Sequence, residues 1–206
     1  MQYNIKNDGK LHTRFTDLIQ CTPKGVAHVI ARSQGLEKPV ETETLQFGKI
    51  RHDMWQAESE KTGKLPQCFI DEWPELAELE ATHVEQELAT EIYKDIILHS
   101  RPDMIAAKQF TLIDYKTMVR EDTGAGIYKN SRQLPIYSYQ AAMHNIRIKK
   151  YIYLVEIWNE DRSEIVGYDK YEREINLAEI SAIRHWIKQR CEVLVLGMKL
   201  AGVWRG

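Results

Sequence analysis

Residues Phe110 to Tyr115 (Phe-Thr-Leu-Ile-Asp-Tyr) constrain this chain more than any other stretch. A β-branched and aromatic run of that length reads as a strand, and Leu112-Ile113 mark it as a buried one. It finishes on Asp114-Tyr115-Lys116. Strand side chains alternate with a period of two, so Asp114 and Lys116 leave the same face. An Asp-x-Lys on a strand is by itself an ordinary surface charge pair. A buried strand that delivers both charges together at its end points instead to a ligand.

The residues before that strand supply a partner. Thr82 to Ile92 and Lys94 to Ala107 read as two strands joined by a turn, and Lys108-Gln109 is short enough for a hairpin into Phe110. Asp103 then lies near the end of the neighbouring strand, where it can converge on Asp114. Two carboxylates and the Tyr115 carbonyl form a set of hard oxygen ligands of the kind magnesium takes. Such an ion lowers the pKa of bound water and offsets the charge that builds on a phosphate. Lys116 beside it can hold the attacking water or stabilise pentavalent phosphorus. The pattern therefore points to metal-assisted phosphodiester hydrolysis. Glu85, Glu87 and Glu91 alternate along the expected strand and would share one face. A solvated sheet face accounts for them; Glu87 is the choice for an additional carboxylate near the metal.

Around this centre the pattern is helical, then stranded, then mixed. Thr16 to Ser33 holds a short helix broken at Cys21-Thr22-Pro23, and Lys38 to Thr44 is loop-like. Leu45 to Glu60 has helical spacing, with Phe47, Ile50, Met54 and Trp55 on one side, and ends at the breaker run Lys61 to Pro66. Glu121 to Gly126 is expected to be a mobile loop. Ser131 to Asn145 reads as a helix with Pro135 near its first turn, Tyr151 to Trp158 and Glu164 to Tyr171 as strands, and Asn176 as the cap of a long helix. The fold class is α/β, a mixed central β-sheet flanked by helices.

The 206 residues suffice for one substantial core and are short for two independent domains, so residues 1–206 are taken as a single domain. No apolar stretch is long enough to span a bilayer, and Met1 to Lys6 does not open a signal peptide. A cytoplasmic location is the default expectation. Cys21, Cys68 and Cys191 are odd in number and form no CxxC, which speaks for free thiols over a zinc ribbon or disulfide framework. A net charge of −2 argues against a chain that simply coats nucleic acid, but permits a local basic patch around an acidic site. Lys129, Arg132, Arg147, Lys149 and Lys150 are the candidates for that patch.

Arg101-Pro102-Asp103, followed after ten residues by Asp114-Tyr115-Lys116-Thr117, resembles the PD-(D/E)XK nuclease superfamily. Three further segments resemble its RecB-like and RecE-like (phage-type) exonuclease branch. Gly48-Lys49-Ile50-Arg51-His52 is similar to the GxxxH of that branch, Gln133-Leu134-Pro135-Ile136-Tyr137 to its QxxxY, and Thr16 to Pro23 to its LxxCP. They occur in the family's order over roughly residues 14 to 160. Gln140-Ala141-Ala142-Met143-His144 is a second candidate for the QxxxY, with His144 in place of tyrosine; Gln133 is preferred because Tyr137 is intact.

The resemblance implies a restriction-endonuclease-like core. It makes His52, Asp103 and Asp114 metal ligands for Mg2+ or Mn2+, with the Tyr115 carbonyl assisting. Asp103, Asp114 and Lys116 become catalytic, and Gln133 and Tyr137 line a DNA channel. It further implies exonuclease action on linear DNA in phage-type recombination or repair, a ring-shaped homo-oligomer, and a single-strand annealing protein as partner. Single-stranded or branched ends are the alternative substrates, and a non-catalytic DNA-binding protein on a decayed nuclease fold is the alternative class. The iron–sulfur cluster of some relatives is not expected, because Cys21 has no downstream cysteine cluster. No helicase segment accompanies the motifs, so a free-standing nuclease is expected. Gly202-Val203-Trp204 resembles the tryptophan that closes some phage domains.

Overall fold

The computed structural model describes residues 10–22, 25–33, 42–119 and 125–202. Met1 to Lys6, Pro23, Lys38 to Glu41, Glu121 to Gly124 and Val203-Trp204, which figured in the sequence expectations, lie outside the described residues. In chain order the elements are β1 (Leu11–Arg14), α1 (Phe15–Gln20), α2 (Val26–Ser33), α3 (Glu43–Thr62), α4 (Gln67–Glu72), β2 (His83–Val84), β3 (Leu88–Tyr93), β4 (Ile96–Ser100), β5 (Met104–Ala106), β6 (Thr111–Val119), α5 (Gln133–Met143), β7 (Lys150–Trp158), β8 (Ile165–Glu174) and α6 (Leu177–Leu200). Short 3-10 turns occupy Pro74–Glu78, Ala107–Gln109 and Ala125–Asn130. No helix of the described residues is long and apolar enough to cross a membrane.

The chain divides into two compact units. The first comprises Met1–Val40, Glu87–Ser100 and Leu177–Gly206. Its sheet has the order β1-β4-β3, with β1 parallel and β3 antiparallel to β4. Lys94-Asp95 close the β3–β4 hairpin, with Asp95 in the left-handed region at φ 60°. Leu18, Cys21, Leu88, Ile96, Leu98, Ile183, Ile187 and Cys191 form its buried interior. At Gly197 of α6 an added Cβ would stand 2.7 Å from the Val26 side chain, so only glycine permits α2 to lie this close.

The second unit, Glu41–Gln86 and Arg101–Asn176, carries the five-stranded mixed sheet β2-β5-β6-β7-β8. The β5–β6 pair is the expected hairpin, with Met104 opposite Ile113; β6 and β7 run parallel, with Asp114 beside Tyr153. On one face Ile113 and Tyr115 of β6 meet Trp55, Leu65, Phe69, Met104, Ile152 and Leu154 in a closed apolar cluster. Each such side chain contributes about 1.5–3 kcal/mol by leaving water. The alternate residues of β6 face the side that carries α5. Thr42 caps α3 by accepting the Leu45 N–H, and Gly63 ends the helix at φ 68°, returning its N–H to the Ser59 carbonyl. Pro135 is the third residue of α5, where it costs no helical hydrogen bond.

Four expectations need correction. The strand expected over Thr82–Ile92 is two strands, β2 and β3, in different sheets, because Glu85 takes a left-handed φ of 49° that ends the ladder. The strand expected over Lys94–Ala107 is likewise β4 and β5, divided at Arg101-Pro102-Asp103, where proline has no N–H to donate. Asp114 and Lys116 sit mid-strand, because β6 stays paired with β7 from Thr111 to Val119. Finally, the expected apolar side of α3 does not form: Ile50 is 59% and Met54 54% exposed, while Trp55 is buried. Arg51 and His52 are turned to the sheet instead, toward Glu156 and Asp103.

Candidate active site

The candidate site lies wholly within the second unit and starts from the β5–β6 pairing. Asp103 immediately precedes β5, so the antiparallel register sets it across from Asp114. Both are buried, at 7% and 1% exposure, where a lone carboxylate is costly. Asp103 accepts the Tyr115 N–H at 2.5 Å through Oδ2, and its Oδ1 stands 3.6 Å from His52 Nδ1. Its backbone carbonyl takes the Glu85 N–H at 3.0 Å, which draws Glu85 to the same place. His52, Glu85 and Asp103 each offer an atom within 4.8 Å of the others.

Asp114 completes the floor. Its Oδ1 accepts from Gln133 Nε2 at 3.1 Å, and its Oδ2 is paired with the ammonium of Lys116. Gln133 Nε2 also donates to the Tyr137 hydroxyl at 3.0 Å, so the expected i, i+4 pair on α5 does act as one unit. Ser131 Oγ accepts from the Gln133 N–H at 3.2 Å and from the Tyr153 hydroxyl at 2.9 Å. Tyr128 stacks on Tyr153 with ring centroids 4.6 Å apart. Those two tyrosines wall the site beside Asp114.

The electrostatics are those of acids crowded together in low dielectric. Burial raises the Asp103 carboxyl well above its usual value, the Asp114 charge pushes it further, and Lys116 and the Tyr115 N–H offset only part. Burial likewise raises Glu85, against the pull of Arg101, which ion-pairs with it at 2.5 Å. Burial disfavours charge on Lys116, but Asp114 and Asp103 outweigh it, and its pKa is raised. His52 is lowered by burial and by Lys116, which keeps the imidazole neutral and able to ligate. A neutral imidazole beside crowded carboxylates fits a divalent cation, whose charge offsets the repulsion among them.

His52, Asp103, Asp114, Lys116, Gln133 and Tyr137 are thus brought together, with the Tyr115 backbone N–H on Asp103. Glu87 is placed elsewhere: it lies in the first unit, bonded to His99 Nδ1 at 2.7 Å. Glu91 pairs with Lys10. Glu85, passed over on sequence in favour of Glu87, is the acid that joins the cluster. Tyr128 and Tyr153 were missed as well; only the parallel β6–β7 register reveals that Tyr153 flanks Asp114.

A family model for the PD-(D/E)XK nuclease superfamily matches residues 27–199, most of the chain. This chain belongs to the PD-(D/E)XK nuclease superfamily. Members of the superfamily use divalent metals, as the donor set here would suit. Among solved structures, this PD-(D/E)XK chain shares its fold with a putative exonuclease from Eubacterium rectale, at TM-score 0.55 and 9% identity, over 85% of this chain and 74% of that one. A phage-related exonuclease from Haemophilus somnus 129PT aligns at TM-score 0.51 and 10% identity, over 94% and 96% of the two chains. LHK-Exo in complex with dAMP aligns at TM-score 0.50 and 12% identity, over 93% and 94%. No curated protein matches the sequence significantly.

Proposed function

We propose that this chain is a Mg2+- or Mn2+-dependent deoxyribonuclease that removes nucleotides from the ends of linear DNA. The observation that carries the reading is the convergence of His52, Glu85 and Asp103 opposite the Asp114–Lys116 pair on β6. Three donors from α3, the end of β2 and the start of β5 are what a hard cation held beside substrate requires. When bound, the ion supplies a water of lowered pKa and offsets charge on the phosphate.

The chain's own groups do the rest. Lys116 brings an ammonium, protonated throughout the neutral range, to the face where charge builds on the phosphate. Asp114 holds that ammonium, and Gln133 holds Asp114 from the other side, so neither side chain is free to rotate away. The Tyr115 N–H fixes the orientation of Asp103. Tyr128 and Tyr153 cover the sheet beside Asp114 and limit the water that reaches it.

End-directed action finds support in the similar structures, which are a putative exonuclease, a phage-related exonuclease and LHK-Exo; the last was solved with dAMP, the kind of product that stepwise removal of terminal nucleotides releases. The same reading carries a role in phage-type recombination or repair in the cytoplasm, beside a single-strand annealing protein and with a homo-oligomeric ring. The deciding test is digestion of linear and covalently closed DNA with manganese, alongside isothermal titration of manganese into the chain and into Asp114→Asn. Nucleotide release from linear DNA alone, with manganese binding weakened in the variant, is expected. Ready cutting of closed circles overturns exonuclease, and unaltered manganese binding by Asp114→Asn removes Asp114 from the metal site.

A further inference from the structure

We propose that Phe110, Arg147 and Lys149 form a second DNA contact, a clamp on backbone phosphates away from the point of cleavage. The inference rests on the nuclease reading above and extends it to a surface that the metal site does not include. All three residues belong to the second unit.

Phe110 is the residue before β6, and its φ of 54° is a conformation that a bulky aromatic rarely adopts. Two backbone bonds hold it there: its carbonyl accepts the Lys149 N–H at 2.8 Å and the Lys150 N–H at 3.1 Å. The ring is thereby pinned at the surface with 37% exposure. Arg147 and Lys149, two residues apart and both exposed, converge on it from the segment entering β7. The guanidinium carbon lies 5.8 Å and the ammonium 4.8 Å from the ring centroid.

What separates these cations from their neighbours is the lack of an acid. Among the described residues neither Arg147 nor Lys149 makes a side-chain hydrogen bond or ion pair. Lys150 pairs with Glu172 at 3.4 Å, Lys108 with Glu80 at 2.6 Å and Lys170 with Glu75 at 2.6 Å. An aromatic face orients a cation without neutralising it. In a chain of net charge −2, this is a small fixed island of positive potential.

Its place in the strand suits a polyanion that already occupies the active site. Phe110 is four residues from Asp114, about 13 Å at a rise of about 3.3 Å per residue. That distance corresponds to about four base-pair steps along a duplex axis, at a rise of roughly 3.4 Å each. The clamp reads charge alone, so it carries no sequence preference and is sensitive to salt.

The test is binding of a fluorescent duplex of about thirty base pairs, with calcium in place of manganese so that the DNA is not consumed, across a range of potassium chloride. The double variant Arg147→Glu/Lys149→Glu is expected to weaken binding about tenfold or more and to flatten the slope of log affinity against log salt by about two. Phe110→Ala, which frees both cations, is expected to weaken it a few-fold with the slope kept. Unchanged affinity and slope in the double variant overturn the clamp. Manganese titration of the same proteins separates the two readings: the double variant should bind manganese as the parent does. A parent that binds manganese and cuts DNA while the reversal is silent refutes the clamp alone. A parent that binds no manganese refutes the nuclease reading itself.

Discussion

Arg51 and His52 are neighbours on α3, and each reaches a buried carboxylate of the five-stranded sheet. Arg51 meets Glu156 with both prongs, at 2.8 and 2.6 Å, and Trp158 Nε1 adds a third bond at 2.6 Å. The guanidinium lies 5.4 Å from the Trp55 ring and 5.3 Å from the Trp158 ring. His52 stands 3.6 Å from Asp103, with Glu85 close by and both acids pushed toward protonation. The first pair is matched charge for charge inside the protein, with three bonds to the Glu156 carboxylate. The second crowds two carboxylates together in low dielectric beside an imidazole, and among the described residues no cation closes the group off in the same way. One is a clasp that sets the rotation of the helix; the other is the candidate socket for a cation.

The largest expected effect breaks the clasp. Glu156→Ala leaves the half-buried Arg51 guanidinium facing the sheet without its partner and should lower the unfolding free energy by about 3 kcal/mol. Denaturant melts check this, and Arg51→Met/Glu156→Leu should recover most of the loss because no charge is then stranded. A Glu156→Ala protein as stable as the parent would mean that the pair does not anchor α3. Next comes the socket. Lys116→Ala should slow cleavage of linear DNA by about 10²–10³ with the fold intact by circular dichroism, the size of effect seen when one charge-stabilising group is lost. A rate within a few-fold of the parent would take Lys116 out of the chemistry. Smaller again, Glu85→Gln should weaken manganese about tenfold in calorimetry, at the low end for a ligand-sphere change. The smallest effect is the control: Glu87→Gln should leave manganese affinity as it was, since Glu87 is engaged with His99 in the other unit. If the two glutamate variants exchange behaviours, the placement of Glu85 in the socket is wrong.

The carboxylate–lysine centre was more legible in the sequence than the Arg51–Glu156 clasp, and His52 was placed beside it only by the family resemblance. Asp103, Asp114 and Lys116 stand close in sequence, and a hairpin is enough to gather them, so strand periodicity and loop length sufficed. Helical spacing alone put Gln133 beside Tyr137. The clasp joins residues 105 apart, and no local pattern announces it. The apolar spacing of Phe47, Ile50 and Met54 even suggested the wrong rotation for α3. The buried Glu156 charge outweighed two apolar side chains, since stranding it would cost more than burying Ile50 and Met54 would return, while Phe47 still packs edge-on against Trp158.

The second glutamine motif shows the same limit. Gln133 and Gln140 both begin a five-residue pattern, and the sequence favoured Gln133 because Tyr137 is intact and because a full helix fits between it and the next strand. In the fold Gln133 bonds Asp114 while Gln140 is fully buried, so the choice rests on which helix turn faces β6. Glu85 and Glu87 differ for a sharper reason. Alternation assigns them one face of one strand, but the left-handed backbone at Glu85 breaks that strand and sends its halves to different sheets.

By itself, then, the sequence determined the family, the α/β class and the acid–lysine centre on β6, because those depend on residue type and short spacing. Only the tertiary structure decided which glutamate lies beside His52 and Asp103, how α3 is turned, and which cations remain unpaired at Phe110. Each of those outcomes depends on long-range pairing and on the cost of burying charge, neither of which is written in any local stretch of the chain.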